Sequence, residues 1–246
     1  NYARELLQLF SIGVPLLNED GTPVLGVDGK PVPAYGQETI RAFARVLTGW
    51  TYATLAGATP KKNNPQNFKA PLWLYRNASG VDTTHDKGEK KLLDYPGAVH
   101  GTLPLGQDGA VDLDQALDNV FHHPNVGPFV GRQLIQHLVT SNPGPEYVSR
   151  VARTFADDGR GVRGNLAAVV SAILLDPEAR GSVKSEPDYG RLREPVLFVT
   201  NLCRAFGATS DGVLGAQATT LGQNLFNPQT VFSYYPHDYE AVDGVQ

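Results

Sequence analysis

The sequence predicts a mainly α fold: a helical array carrying a small inserted β-hairpin. Three observations lead there. Apolar residues recur at helical spacing in segment after segment, from the first residues to beyond position 200. From Asp112 onward the connections between these segments are mostly short, which favours antiparallel packing of neighbours. A near-repeat, Asp20-Gly21-Thr22-Pro23-Val24 and Asp28-Gly29-Lys30-Pro31-Val32, puts two tight-turn signals between the first two helical segments, and its prolines oppose a central strand.

In chain order, Asn1 to Val14 reads as a helix with Tyr2, Leu6, Leu9, Phe10 and Ile12 on its apolar stripe and Gly13 as a C-terminal cap. Residues 15–35 form the hairpin or paired turns. A calcium loop does not fit their acids, because glycine follows the second acid too soon. Gln37 to Trp50 is the second helix, through Ile40, Phe43, Ala44, Val46, Leu47 and Trp50. Residues 51–112 read mostly as loop, with a short strand at Pro71 to Arg76. Leu113 to His122 follows, capped by Asp112 and ended by Pro124. Further helices are expected at Gly127 to Val139, Pro145 to Asp157, Arg163 to Leu175, Glu194 to Phe206 and Gly215 to Leu225. No Gly/Ser-rich linker or charge run divides the chain, so residues 1–246 read as a single helical domain.

Composition excludes more than it selects. The 246 residues carry a formal net charge of −4, which argues against a general nucleic-acid binder, since that function needs a basic surface. No apolar run approaches the roughly 18–20 residues of a membrane span. The single cysteine, Cys203, permits neither an internal disulfide nor a cysteine-based metal site. A chain without methionine that opens directly into a helix is expected to be part of something longer.

The most chemically loaded stretch is Thr84-His85-Asp86-Lys87-Gly88-Glu89-Lys90. A histidine beside an aspartate in a glycine-containing loop can ligate a metal, run acid/base chemistry or simply hold a loop by hydrogen bonds. Lys90, close behind, would keep Asp86 ionised and make it a base or an anchor, not an acid. His122 and His123 sit at a helix end, where a cation would meet the negative pole of the helix dipole. His137 is expected to be partly exposed, and His100 could join His85 around a metal. Nucleophile-elbow and phosphate-loop motifs are absent from the sequence. Carboxylates come into view because glycoside hydrolysis needs two: Glu5, Glu38, Asp86 and Glu194, with Glu5 and Glu194 each beside an arginine. Phe232 to Tyr239 gathers four aromatics that suit sugar stacking or a packed tail.

Several pieces coincide with one family. Asn1-Tyr2-Ala3-Arg4-Glu5-Leu6-Leu7-Gln8-Leu9-Phe10, Ala44-Arg45-Val46-Leu47-Thr48-Gly49-Trp50 and the His85-Asp86-x-Gly88-x-Lys90 loop resemble motifs of the domain-of-unknown-function 1800 family of bacterial proteins. So do His123-Pro124 with Phe129 to Ile135, Leu192-Arg193-Glu194-Pro195, and Gly222 to Pro228. The resemblance spans essentially the whole chain and implies the central and C-terminal part of a longer protein. It also implies export, to the periplasm or outside the cell, and a sulfatase-like exported protein as possible partner.

Two function classes follow. In the first, the protein is a hydrolase of glycans, with Asp86 and Glu194 as carboxylates, His85 and Lys90 tuning them, and Trp50, Tyr234 and Tyr235 holding a poly- or oligosaccharide. In the second, it is a non-catalytic binding or assembly module of the bacterial envelope whose loop locks the fold. A third reading builds a metal site from His85, Asp86 and His100. The first two readings call for no metal and no cofactor.

Overall fold

A computed structural model describes residues 1–187, 189–209, 211–212, 220–224, 226–228, 230–231 and 235–239. Among these the chain is mainly helical, with two small antiparallel hairpin sheets. The helices are α1 (Tyr2–Gln8), α2 (Gln37–Val46), α3 (Gly109–Phe121), α4 (Val126–Leu138), α5 (Pro145–Ala156), α6 (Leu166–Leu175), α7 (Pro177–Arg180) and α8 (Pro195–Ala205). One sheet pairs β1 (Trp50–Thr51) with β2 (Trp73–Leu74), the other β3 (Lys90–Lys91) with β4 (Thr102–Leu103).

One hydrophobic cluster ties these elements together. Ala3 and Leu7 of α1 meet Phe43 and Val46 of α2, Leu93 and Leu103 around the second sheet, Val120 of α3, Ile135 of α4, Tyr147, Val151 and Phe155 of α5, and Val169 and Ile173 of α6. α5 shows why such a segment is helical. Its apolar residues at 147, 148, 151, 152 and 155 fall on one side, and Pro145 opens it where a missing N–H costs nothing.

Several boundaries differ from the sequence expectation. α1 stops at Gln8 and buries Ala3 and Leu7, while Tyr2 and Phe10 face solvent. α2 ends at Val46, because Gly49 adopts a positive φ of 86° and turns the chain into β1, which takes Trp50 out of the helix. α3 starts at Gly109, where Asp108 caps the Ala110 N–H, so Asp112 lies inside the first turn and is not the cap. α6 begins at Leu166 behind the Asn165 cap, not at Arg163. The stretch 51–112 holds both sheets. The helix expected over 215–225 falls largely outside the described residues.

The insertion at 15–35 turns twice, at Asp20-Gly21 and Asp28-Gly29, as its repeat requires. Its three extended pieces close on one another: Val24 N–H donates to Leu16, Leu16 N–H to Val32, and Val32 N–H to Val24. Asn125, buried at the start of α4, fastens it to the core. Its amide donates to the Ile12 and Pro15 carbonyls at 2.9 and 2.8 Å and accepts the Leu17 N–H at 3.0 Å. Asn119 holds the second sheet in the same manner, bonding both Leu93 backbone groups and the Val99 carbonyl. Neither asparagine stands out in sequence, because a lone helical Asn reads as surface.

Candidate functional site

The loop at 82–90 lies between the end of α2 and the start of α3. Its centre is the Asp112 carboxylate, fully buried in the first turn of α3. Three donors converge on it: His85 Nε2 at 2.8 Å, Lys90 Nζ at 2.7 Å and Gln107 Nε2 at 2.7 Å. Lys90 also donates to the Asp86 and Gly88 carbonyls at 2.6 and 3.0 Å, and its side chain is 1% exposed. His85 turns Nδ1 to the Thr48 carbonyl at 3.0 Å. Both ring nitrogens therefore face acceptors in a closed interior, and neither is open to a metal or a substrate.

Asp86 points the other way. Arg45 grips it from α2 through Nε and Nη2, both at 2.9 Å, and the Gly88 N–H donates to it at 2.8 Å. The guanidinium fork, more than any other contact, lowers its carboxyl to about 2, against the opposing pull of burial. The pair is about a third exposed on each side. Thr48 accepts the Asp86 N–H at 2.8 Å, so the Arg45–Thr48 segment and the 85–90 loop are one hydrogen-bonded unit. Asp82 closes the turn by accepting Lys87 Nζ at 2.6 Å on both oxygens and the Gly109 N–H at 2.8 Å.

Each residue of the His-Asp-x-Gly-x-Lys signature thus has a mechanical reason to be there. His85 and Lys90 hydrogen-bond the buried Asp112 carboxylate, Asp86 ties down α2, and a β-carbon at Gly88 would run into the Arg45 guanidinium. Two further glycines seat the ring: a β-carbon at Gly109 would lie 2.8 Å from the His85 ring, and one at Gly49 would lie 3.1 Å from the His85 backbone nitrogen.

The remaining expected site residues are elsewhere. Glu194 caps α8 and pairs with Arg191 at 2.9 Å, sharing no partner with Asp86. Burial would raise its carboxyl, but its own backbone N–H, the Arg191 charge and hydrogen bond, and His137 together hold it below the ordinary value. Its second oxygen is buried with no hydrogen-bond partner. Trp50 lies in β1 opposite Leu74, its indole nitrogen buried and unpartnered. Tyr234 lies outside the described residues, and Tyr235 packs on Tyr239 with ring centroids 4.7 Å apart. His100 faces Asp118 at 3.9 Å and not His85. His122 bonds the Asp118 carbonyl at the helix end. His123 is no cation there: buried against Tyr95, it accepts the Asn125 N–H, and burial with Arg163 nearby lowers it to about 4.

Sequence reasoning missed Asp112, the acceptor on which the loop depends. It also missed a cleft of about 660 Å³ between the α1 end, the insertion, α4 and the segment at 235–238. None of the residues at 82–90 lines it. Phe129, Arg132, Gln133, Gln136 and His137 do, at the spacing of a single face of α4, and Tyr235 and Arg191 are also in the lining.

Fold and site define a mainly helical protein assembled around a charge-locked loop, with an open cleft elsewhere. The chain belongs to the family described as Protein of unknown function (DUF1800), whose model matches residues 1–243. No curated protein and no solved structure matches it. No helix among the described residues is long and apolar enough to cross a membrane.

Proposed function

We propose that this chain is a non-catalytic, oligosaccharide-binding module of the bacterial envelope, that its ligand lies in the cleft beside α4, and that the His85–Lys90 loop is the lock of its fold. One observation carries the reading: His85 and Lys90 are turned inward onto the buried Asp112 carboxylate, while Asp86 is gripped by Arg45. Glycoside hydrolysis needs one carboxyl kept protonated as acid and a second, typically about 5–9 Å away, kept ionised. Asp86 and Glu194 are both held below their ordinary values, so neither supplies the acid. The cleft, in contrast, is lined by the half-buried rings of Phe129 and Tyr235 and the amides of Gln133 and Gln136, residue types that suit the C–H faces and hydroxyls of sugars. The envelope setting rests on the exported character of the family that the sequence resembles, and a sulfatase-like exported protein remains its proposed partner.

The test is calorimetric titration of wild type and Asp86→Ala with envelope oligosaccharides, with reducing ends assayed in parallel. Binding by both proteins without cleavage is the expected result. Release of reducing ends that disappears in Asp86→Ala would overturn the proposal in favour of a hydrolase.

A further inference from the structure

Building on the cleft as an oligosaccharide site, we infer that its ligand is an acidic saccharide whose carboxylate docks on the Arg132 guanidinium. Arg45, Arg76, Arg150, Arg153 and Arg191 each hold a carboxylate of this chain. Arg132 is exposed, lines the cleft and enters no ion pair among the described residues. Arg191, in the same lining, is already spoken for: its guanidinium meets Glu194 and the His137 carbonyl, and its side chain is 10% exposed. Among the described residues Arg132 is therefore the arginine of the cleft with no carboxylate partner, and the described lining includes two histidines, His137 and His237, and one acid, Asp238.

Its position gives the charge a geometry. Phe129, Arg132, Gln133 and Gln136 stand at i, i+3, i+4 and i+7 on α4, while Val126, Gly127, Gly131 and Ile135 occupy the buried side. The cleft-lining side of α4 thus runs from the half-buried Phe129 ring, past the exposed Arg132 guanidinium, to the Gln133 and Gln136 amides. A ring seated on Phe129 carries its substituents over the next turn, and a planar fork accepts a carboxylate through two parallel hydrogen bonds. A neutral sugar would leave that fork to water.

The experiment titrates the full chain with a tetrameric oligogalacturonide and with its carboxyl-reduced, neutral counterpart, for wild type and Arg132→Gln, at low and moderate salt. The acidic tetramer is expected to bind about tenfold more tightly at low salt, with the preference shrinking as salt is added. Arg132→Gln is expected to erase the preference, keep affinity for the neutral tetramer, and leave the melting temperature unchanged. Equal affinity of wild type for the two tetramers would overturn this inference while sparing the oligosaccharide site. Binding of neither would overturn the oligosaccharide site and this inference with it.

Discussion

At the scale of single residues, burial decides chemistry more than identity does. His85 and His123 are both buried histidines near an aspartate or a helix end, yet one is braced between acceptors and the other accepts a backbone N–H. Their difference has a pH signature. His123 is lowered from 6.5 to about 4 in the folded chain, so between those values the unfolded chain binds a proton that the folded chain does not. Stability should therefore fall as pH drops from about 6.5 to about 4. A second fall should follow from about 4 to about 2, because Asp86 and Asp108 are held near 2 by Arg45 and Arg76 and must be protonated there. Urea unfolding across this range checks both limbs. His123→Gln should flatten the upper one and Asp86→Asn should shrink the lower one, and an unchanged curve in either variant would contradict the assignment. The loop's importance was legible from the clustering of His85, Asp86 and Lys90. Its role was not, because Asp112, 27 positions beyond His85, has no local mark that separates a buried acceptor from a helix cap.

At the scale of elements, glycine placement fixes how the pieces meet. Gly49 ends α2 with a positive φ and passes 3.1 Å from the His85 nitrogen at its missing β-carbon, whereas Gly57 shares the positive φ with nothing within 4 Å. Gly49→Ala is expected to destabilise by about 1–3 kcal/mol from backbone strain plus overlap, and more than Gly57→Ala, which meets only the strain. Thermal melts of the pair isolate the contact, and equal losses would contradict it. Asn125→Ala removes two hydrogen bonds to the insertion and one to Ile12 just before it, and should cost at least about 2 kcal/mol. Proteolysis after Glu19 or Asp28 should quicken in that variant, and unchanged cleavage would mean that the insertion is held by other contacts. Helices 4, 5 and 6 were readable because their apolar periodicity is uninterrupted. The starts of α3 and the end of α2 were not, because each is set by a partner distant in sequence: Asp82 accepting the Gly109 N–H, and the His85 backbone packed on Gly49.

At the scale of the whole molecule, the charged loop and the cleft occupy different places. The loop joins α2, α3 and the second sheet through a buried cluster. The cleft lies between the insertion, α4 and the C-terminal segment, where no single stretch of sequence could have announced it. The polar residues of α4 carry no sign in the sequence that they border a concavity. The central claim is that the loop holds the fold together, and Asp112 tests it most directly. Removing that carboxylate leaves buried Lys90 Nζ with the Asp86 and Gly88 carbonyls but no carboxylate, and takes the acceptor from His85 Nε2, a loss of about 3–5 kcal/mol for a broken buried pair. Urea denaturation of Asp112→Ala is expected to show a loss of that size, with cleft binding retained in the folded fraction. A stability close to wild type, or a folded variant that no longer binds, would contradict the account.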